Sequence, residues 1–290
     1  MSTVVRLSAN GWTSPIPPDV AAGAAAALER GDLLFFEHLS FPIEDADQAN
    51  FSPHILSSKN ISFDPSSGKV GGTSLAGVDL ERLRSMMNRF SSLAAAFAAE
   101  LLPKYRGRLE QARSSFRPAE IQGRSTTWRK DDSRLHIDNF PATPVHGKRI
   151  LRIFTNVNPA GRPRSWRIGE DFEHVATRFK DGLTMPWPGS AAVLKALQVT
   201  KTRRSDYDAL MQRLHDCMKG DMEYQRSAPQ IAIDFPAGST WVAFTDYLSH
   251  AAMAGQYQLE QTFLLPVAAM IDESRAPLRI LERIKGRALI

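Results

Sequence analysis

A β-rich α+β fold, built on a double-stranded β-helix or jelly-roll core and braced by N-terminal and inserted helices, is predicted by three features of this 290-residue sequence. The second half carries short β-branched and aromatic runs bounded by Pro and Gly. The first third carries two helical periodicities. The pair His136-Ile137-Asp138 and a later His250 both lie in strand-like surroundings, as expected of a cupin-like barrel that holds a metal near its rim.

Residues 19–30 form an alanine-rich helix closed by Gly31, and residues 33–36 follow as a strand. Asp79 is placed as the cap of a longer helix in which Leu80, Leu83, Met87, Phe90, Ala94, Phe97 and Leu101 recur at three- and four-residue steps until Pro103 stops it. That Met and Phe stripe reads as core packing rather than a cofactor box. Residues 1–117 are therefore a mixed prelude bracing the barrel, and the jelly-roll core is assigned to residues 118–270.

Within the core, residues 135–138 fit a short strand that ends at a Pro-containing loop, and residues 149–155 are the clearest strand. An insertion of about residues 160–225 has a helix from Ser205 with a capping box, Ser205-x-x-Asp208. Residues 231–235 and 241–244, joined by the turn Pro236-Ala237-Gly238, read as a hairpin, and residues 262–267 as the strand beyond it. Without an internal repeat, low-complexity tract or linker, a single domain spanning residues 1–290 is expected.

Composition sets the class: 43% hydrophobic and 23% charged residues are ordinary for a globular chain long enough to bury a full core. The N-terminus lacks a signal-peptide pattern and no apolar run reaches the ~18 residues needed to span a bilayer. One cysteine, Cys217, leaves no disulfide or thiolate zinc site and suits a reducing cytoplasm.

Chance yields about 0.4 His-x-Asp pairs in a chain with 7 His, so the weight falls on context. On a strand, residues two apart face one side, which aims His136 and Asp138 into one interior. Two imidazoles and a carboxylate occupy one face of an octahedral metal and leave three positions open, the arrangement of non-heme Fe(II) oxygenases that bind a keto acid and O2. The bland alternative is two half-buried histidines bonded to carbonyls. His38, His54, His146, His174 and His215 lack a partner at ligand-like spacing and read as structural or solvent-facing.

Such a site needs a cation for the distal carboxylate of 2-oxoglutarate, ideally an Arg. No Lys or Arg occurs from Ala251 to Ser274, so the expectation passes to the strand after the pair, where Arg149 and Arg152 lie on opposite faces. Arg152, among apolar neighbours, is favoured, against the alternative of an Arg paired with a protein carboxylate. The net charge of +5 and pI of about 9.4 concentrate in residues 124–134, 162–167 and 275–290. The first two flank the expected barrel mouth, so Arg129, Arg134, Arg164 and Arg167 are candidates for an anionic substrate. In the tail, residues 271–290, Leu278, Leu281, Ile284 and Ala288 oppose Arg279, Arg283 and Arg287, which suits an anionic membrane surface, with a homo-oligomer contact or a brace as competing readings.

Residues 135–141 (LHIDNFP), 149–159 (RILRIFTNVNP), 164–173 (RSWRIGEDFE) and 238–255 (GSTWVAFTDYLSHAAMAG) resemble the bacterial Kdo (3-deoxy-D-manno-oct-2-ulosonic acid) hydroxylase family. The resemblance implies an enzyme dependent on Fe(II), 2-oxoglutarate and O2, with His136, Asp138 and His250 as metal ligands. It also implies hydroxylation of the 3-deoxy carbon of a Kdo sugar in the lipopolysaccharide inner core to give Ko. The implied substrate, Kdo-lipid A, is an anionic glycolipid precursor of lipopolysaccharide, which would set the protein in the cytoplasm, peripheral to the inner membrane.

Two other readings stand beside this one: a JmjC-like protein hydroxylase with the same cofactors, and a non-catalytic cupin-like metal-binding or basic module. Nucleic acid is not expected, because the basic stretches lack regularly interleaved aromatics and no helix-turn-helix or zinc-finger spacing occurs.

Overall fold

The computed structural model describes residues 2–290. In chain order the elements are β1 (Val4–Leu7), α1 (Pro18–Glu29), β2 (Leu33–Phe36), β3 (Ile61–Asp64), β4 (Lys69–Gly71), α2 (Gly77–Leu101), β5 (Glu110–Arg117), β6 (Arg149–Asn156), β7 (Arg164–Ile168), α3 (Phe172–Arg178), α4 (Ser190–Ala196), α5 (Asp206–Gly220), α6 (Met222–Ser227), β8 (Ile231–Phe235), β9 (Thr240–Phe244), β10 (His250–Ala254), β11 (Gln258–Leu265) and α7 (Pro277–Lys285). This is a sheet-rich α+β architecture.

An eight-stranded sheet runs β1-β2-β9-β6-β11-β5-β3-β4, antiparallel except for β1 against β2, and a three-stranded antiparallel sheet runs β10-β7-β8. Period two divides the central strands between two cores. Val242 and Phe244 of β9 face the helical side, where α1 and α2 supply Leu28, Phe90 and Phe97. Trp241 and Ala243, with Phe154 of β6, face the small sheet and meet Trp166, Ile168 and Phe235. β9 is therefore buried on both faces, and its sequence is correspondingly apolar.

Aromatic rings fill the space between the sheets. Trp241 stacks on Phe235 with centroids 4.0 Å apart, Phe154 stacks on Trp241 at 5.4 Å, and Trp166 meets Trp241 edge-on at 5.5 Å. Trp166 then stacks on the His250 ring at 5.1 Å, so inter-sheet packing sets the plane of a candidate ligand.

Several local expectations are corrected. The turn at Pro236–Gly238 forms, with Gly238 at φ 82°, but β8 and β9 do not pair as a hairpin: β8 joins β7 in the small sheet and β9 joins β6 and β2 in the large one. The turn thus carries the chain from one sheet to the other. β7 lies inside the region read as an insertion, and β5, assigned to the prelude, pairs with β11 within the large sheet. Asp79 is not the cap of α2; Ala76 holds that position and Asp79 sits in the first turn, where its charge favours the helix N-terminus. The Ser205 capping box on α5 forms with both of its hydrogen bonds.

The tail also differs from a free amphipathic helix. Leu278 and Leu281 of α7 are buried in the main core against α3, and Arg279, Arg283 and Arg287 pair with Glu282, Glu173 and Asp206. Its apolar side is already covered by the protein, so α7 is a brace and cannot offer that side to a membrane.

Trp241→Ala is expected to lower stability by about 3–5 kcal/mol, since it empties the centre of the inter-sheet core. Denaturant unfolding of the metal-free protein checks this, and a loss under 1 kcal/mol would contradict the packing described.

Candidate metal centre

His136 and His250 are brought together by the main chain. His136 N donates to His250 O at 3.0 Å and His250 N to His136 O at 2.9 Å, the doubly bonded pair of an antiparallel bridge. Residues 135–138 do not form the expected strand; this single bridge, with Asp138 N donating to Thr245 O at 2.7 Å, holds them in register. Gln225 of α6 secures the segment from behind, accepting from Leu135 N at 2.7 Å and donating to Leu135 O at 2.9 Å.

The side chains converge. His136 Nε2 and His250 Nε2 each lie 3.9 Å from an oxygen of Asp138, and one ligand atom from each of the three lies within 4.8 Å of the others. Among the described residues no other group of His, Cys, Asp and Glu converges in this way.

Each imidazole is committed to one tautomer. His136 Nδ1 lies 2.7 Å from Arg134 O and His250 Nδ1 lies 2.9 Å from Leu248 O. A carbonyl only accepts, so Nδ1 carries the proton in both rings and Nε2 presents its lone pair. Burial, and for His136 the neighbouring His250, lowers both pKa values below the usual imidazole range and keeps the rings neutral. For Asp138, burial opposes ionisation but the Arg152 guanidinium outweighs it, and the carboxyl is held well below its ordinary range. Asp138 Oδ2 is buried without a hydrogen-bond partner. Two neutral lone pairs and an ionised carboxylate with one oxygen free of hydrogen bonds form a donor set that fits a divalent metal.

The cavity around this group is lined by Arg117, Arg152, Arg164, Asp132, Glu260 and Gln258, together with Phe154 and Trp166. Arg152 NH1 lies 3.3 Å from Asp138 and 3.4 Å from Glu260, and Arg117 bonds Glu260 through Nε at 3.0 Å. Despite burial, Arg117 and Arg152 keep Glu260 ionised, and Arg117 and Lys59 do the same for Asp132. Arg164 differs. Fully buried, it donates NH1 to Gly255 O, has no carboxylate partner among the described residues, and leaves Nε unsatisfied. Burial, then the like charge of Arg117, brings its pKa down to about 9, so it stays protonated at neutral pH. Gly255 permits this approach, since a Cβ there would stand 2.8 Å from Pro163 O and 3.0 Å from the Arg164 Cα.

The other sequence candidates fall elsewhere. Arg149 lies on the helical face of β6, where Nε bonds Asp246 Oδ2 at 2.8 Å and the guanidinium sits 4.0 Å from the Phe244 ring centroid; it is not in the cavity. Arg164, expected at the mouth, is inside. Arg129 is exposed and pairs with Asp216, Arg134 pairs with Asp131 and donates to Lys219 O, and Arg167 donates to Ser133 O from the outer face of β7. His215 packs edge-on against His136 at 5.7 Å. Arg117, Asp132 and Glu260 escaped the sequence reading; the available signal was Glu260, an acid in the strand-like stretch that leads into the apolar end of β11.

A family model described as 3-deoxy-D-manno-oct-2-ulosonic acid (Kdo) hydroxylase matches residues 11–288. The chain belongs to the Kdo hydroxylase family. Solved structures of the Kdo hydroxylase KdoO, a non-heme Fe(II) alphaketoglutarate-dependent dioxygenase, are similar throughout. The complex with alphaketoglutarate and Fe(III) is 43% identical, with a TM-score of 0.97 over 99% of this chain and 97% of that one. The cobalt(II) complex gives the same values, and the complex with succinate and Fe(III) has 43% identity and a TM-score of 0.96. No curated protein matches the chain.

The lowered imidazole pKa values have a signed consequence. Between the folded-state values and about 6.5 the unfolded chain binds more protons at these histidines, so this contribution to stability is lost as pH falls through that window. The denaturant midpoint of metal-free protein should therefore drop as pH falls below about 6.5. His136→Gln with His250→Gln should flatten that drop; an unchanged slope would contradict buried neutral imidazoles.

Proposed function

We propose that this protein is an Fe(II)- and 2-oxoglutarate-dependent dioxygenase that hydroxylates the 3-deoxy carbon of a Kdo sugar in the lipopolysaccharide inner core, with Kdo-lipid A as substrate and Ko as product. The observation that carries the reading is the buried group of two Nδ1-anchored neutral imidazoles facing ionised Asp138, whose Oδ2 is charge-balanced by Arg152 but accepts no hydrogen bond, in a chain of this family. His136 Nε2, His250 Nε2 and Asp138 would hold the iron. When bound, iron couples oxidative decarboxylation of 2-oxoglutarate to succinate and CO2 with insertion of one oxygen atom of O2 into a C–H bond.

The strand order supports a jelly-roll reading of the core. β9-β6-β11-β5 form one four-stranded wall, and β8-β7-β10 with the bridge at His136 form the other. The metal group then sits between the walls at one end.

The chain's own residues bind and orient. Arg152 neutralises and positions Asp138, while Trp166 fixes the plane of the His250 ring. The distal carboxylate of 2-oxoglutarate is assigned to Arg164, because Arg152 and Arg117 already share Glu260 and Arg164 is the buried cation left without an anion. Arg129, Arg134 and Arg167, outside the cavity, supply positive potential for the carboxylated, phosphorylated substrate. A lipid-linked substrate places the work at the cytoplasmic face of the inner membrane, and no helix of the described residues is long and apolar enough to cross it.

Purified protein given Fe(II), 2-oxoglutarate, O2 and Kdo-lipid A should add one oxygen to an octulosonic unit by mass spectrometry, and Asp138→Ala should abolish the product. Arg164→Gln should raise the KM for 2-oxoglutarate on the order of 100-fold while metal binding survives. An unchanged KM would remove Arg164 from this role, and oxygen insertion into peptides instead of the sugar would overturn the substrate.

A further inference from the structure

Away from the metal group, a broad surface groove lies between residues 186–194 and the end of the chain, bounded by Trp187, Leu194, Arg203, Arg204, Leu289 and Ile290. The chain from Trp187 to Val199, which supplies part of one wall, is apolar for a surface. Trp187 is 85% exposed, Leu197 69%, Val193 57% and Val199 52%, so four large apolar side chains stand in solvent within one short stretch. Val193 and Leu197, four residues apart at the end of α4, share a side.

The same stretch is cationic. From Gly182 to Ser205 the sequence holds Lys195, Lys201, Arg203 and Arg204 and no acidic residue, a charge of +4. None of the four is in an ion pair with a described carboxylate; nearby Asp206 is taken by Arg287. The base of the stretch is tied to the metal-bearing segment: Lys201 N donates to Ala142 O at 2.9 Å and the Arg204 guanidinium to Pro141 O at 2.8 Å, three residues beyond Asp138.

We propose that residues 187–204 are the face by which this protein docks on an anionic phospholipid bilayer. Trp187, Val193, Leu197 and Val199 enter the interfacial layer while Lys195, Lys201 and Arg203 meet lipid phosphates. Exposed Trp and aliphatic side chains among unpaired cations match the two phases of such a surface. A second copy of the chain fits less well, because a two-fold contact through this patch would set +4 against +4. The proposal names the surface on which a lipid-linked substrate is met, and for that purpose it rests on the function proposed above.

The test uses the full chain with vesicles of phosphatidylglycerol and phosphatidylcholine against phosphatidylcholine alone, read by co-sedimentation and tryptophan emission. The account predicts binding to the anionic vesicles only, weakened by salt, with a blue shift that Trp187→Ala removes; Trp12, Trp166 and Trp241 are buried and report little, and half-buried Trp128 is common to wild type and variant. Lys195→Gln with Lys201→Gln should weaken binding roughly 30-fold, from about 1 kcal/mol per cation at such a surface. Trp187→Ala should weaken it roughly tenfold. Turnover of a water-soluble, delipidated Kdo oligosaccharide should be unchanged by these variants, while turnover of bilayer-embedded substrate falls. Equal binding to neutral vesicles, wild-type binding by the variants, or a Trp187→Ala change that dissolves a dimer without loss of vesicle binding would each overturn the proposal. Inactivity of the wild type on the soluble oligosaccharide would count against the dioxygenase reading alone, because the vesicle result decides the docking face by itself.

Discussion

Two main-chain hydrogen bonds between His136 and His250 are the constraint on which the rest of the site depends. They join segments distant in the chain and set both imidazoles on one side of the small sheet. The closeness of the rings then follows from backbone pairing rather than from side-chain attraction. Nδ1 bonds to Arg134 O and Leu248 O fix the tautomers, and stacking on Trp166 fixes one ring plane. The two carbonyls lie two residues back on each histidine's own segment and Trp166 on the neighbouring strand β7, so the geometry is built before any ligand arrives.

Charge balance is the second constraint. Arg117, Arg152 and Arg164 face Asp132, Asp138 and Glu260 around the cavity, with the imidazoles neutral. Buried charges are tolerated only when paired and hydrogen-bonded, and most of these are. The exceptions are Asp138 Oδ2 and the guanidinium of Arg164, one ion-paired with Arg152 but accepting no hydrogen bond and the other lacking an anion. A divalent cation and a dicarboxylate would satisfy both and leave the net charge of the cavity unchanged. The contrast with Arg149 is instructive: it lies on the same strand as Arg152, but its odd position turns it to the helical face, where Asp246 completes it.

What the sequence made legible was local. The α2 stripe, the Ser205 capping box, β6 and the turn at Gly238 follow from periodicity and residue chemistry within a few positions. The His-x-Asp pair was legible because the three donors have characteristic types and their flanks form longer motifs. The failures are matters of pairing at long range. Turn chemistry joins β8 to β9 but does not say that they enter different sheets. β7 was hidden because its alternating Arg and Trp look like a basic loop until β8 and β10 flank it. Arg117 and Glu260 meet across 143 residues, and no local signal announces such a pair. The tail was periodic enough to read as a helix, but which surface takes its apolar side depends on α3, which sequence does not locate.

The most direct test of the account is anomalous diffraction from crystals grown anaerobically with Fe(II) and 2-oxoglutarate. The account predicts one iron peak among His136 Nε2, Asp138 and His250 Nε2, with the distal carboxylate of the co-substrate against Arg164. Iron elsewhere, or iron bound while the two imidazoles remain apart from it, would contradict the claim that this backbone bridge builds the metal centre.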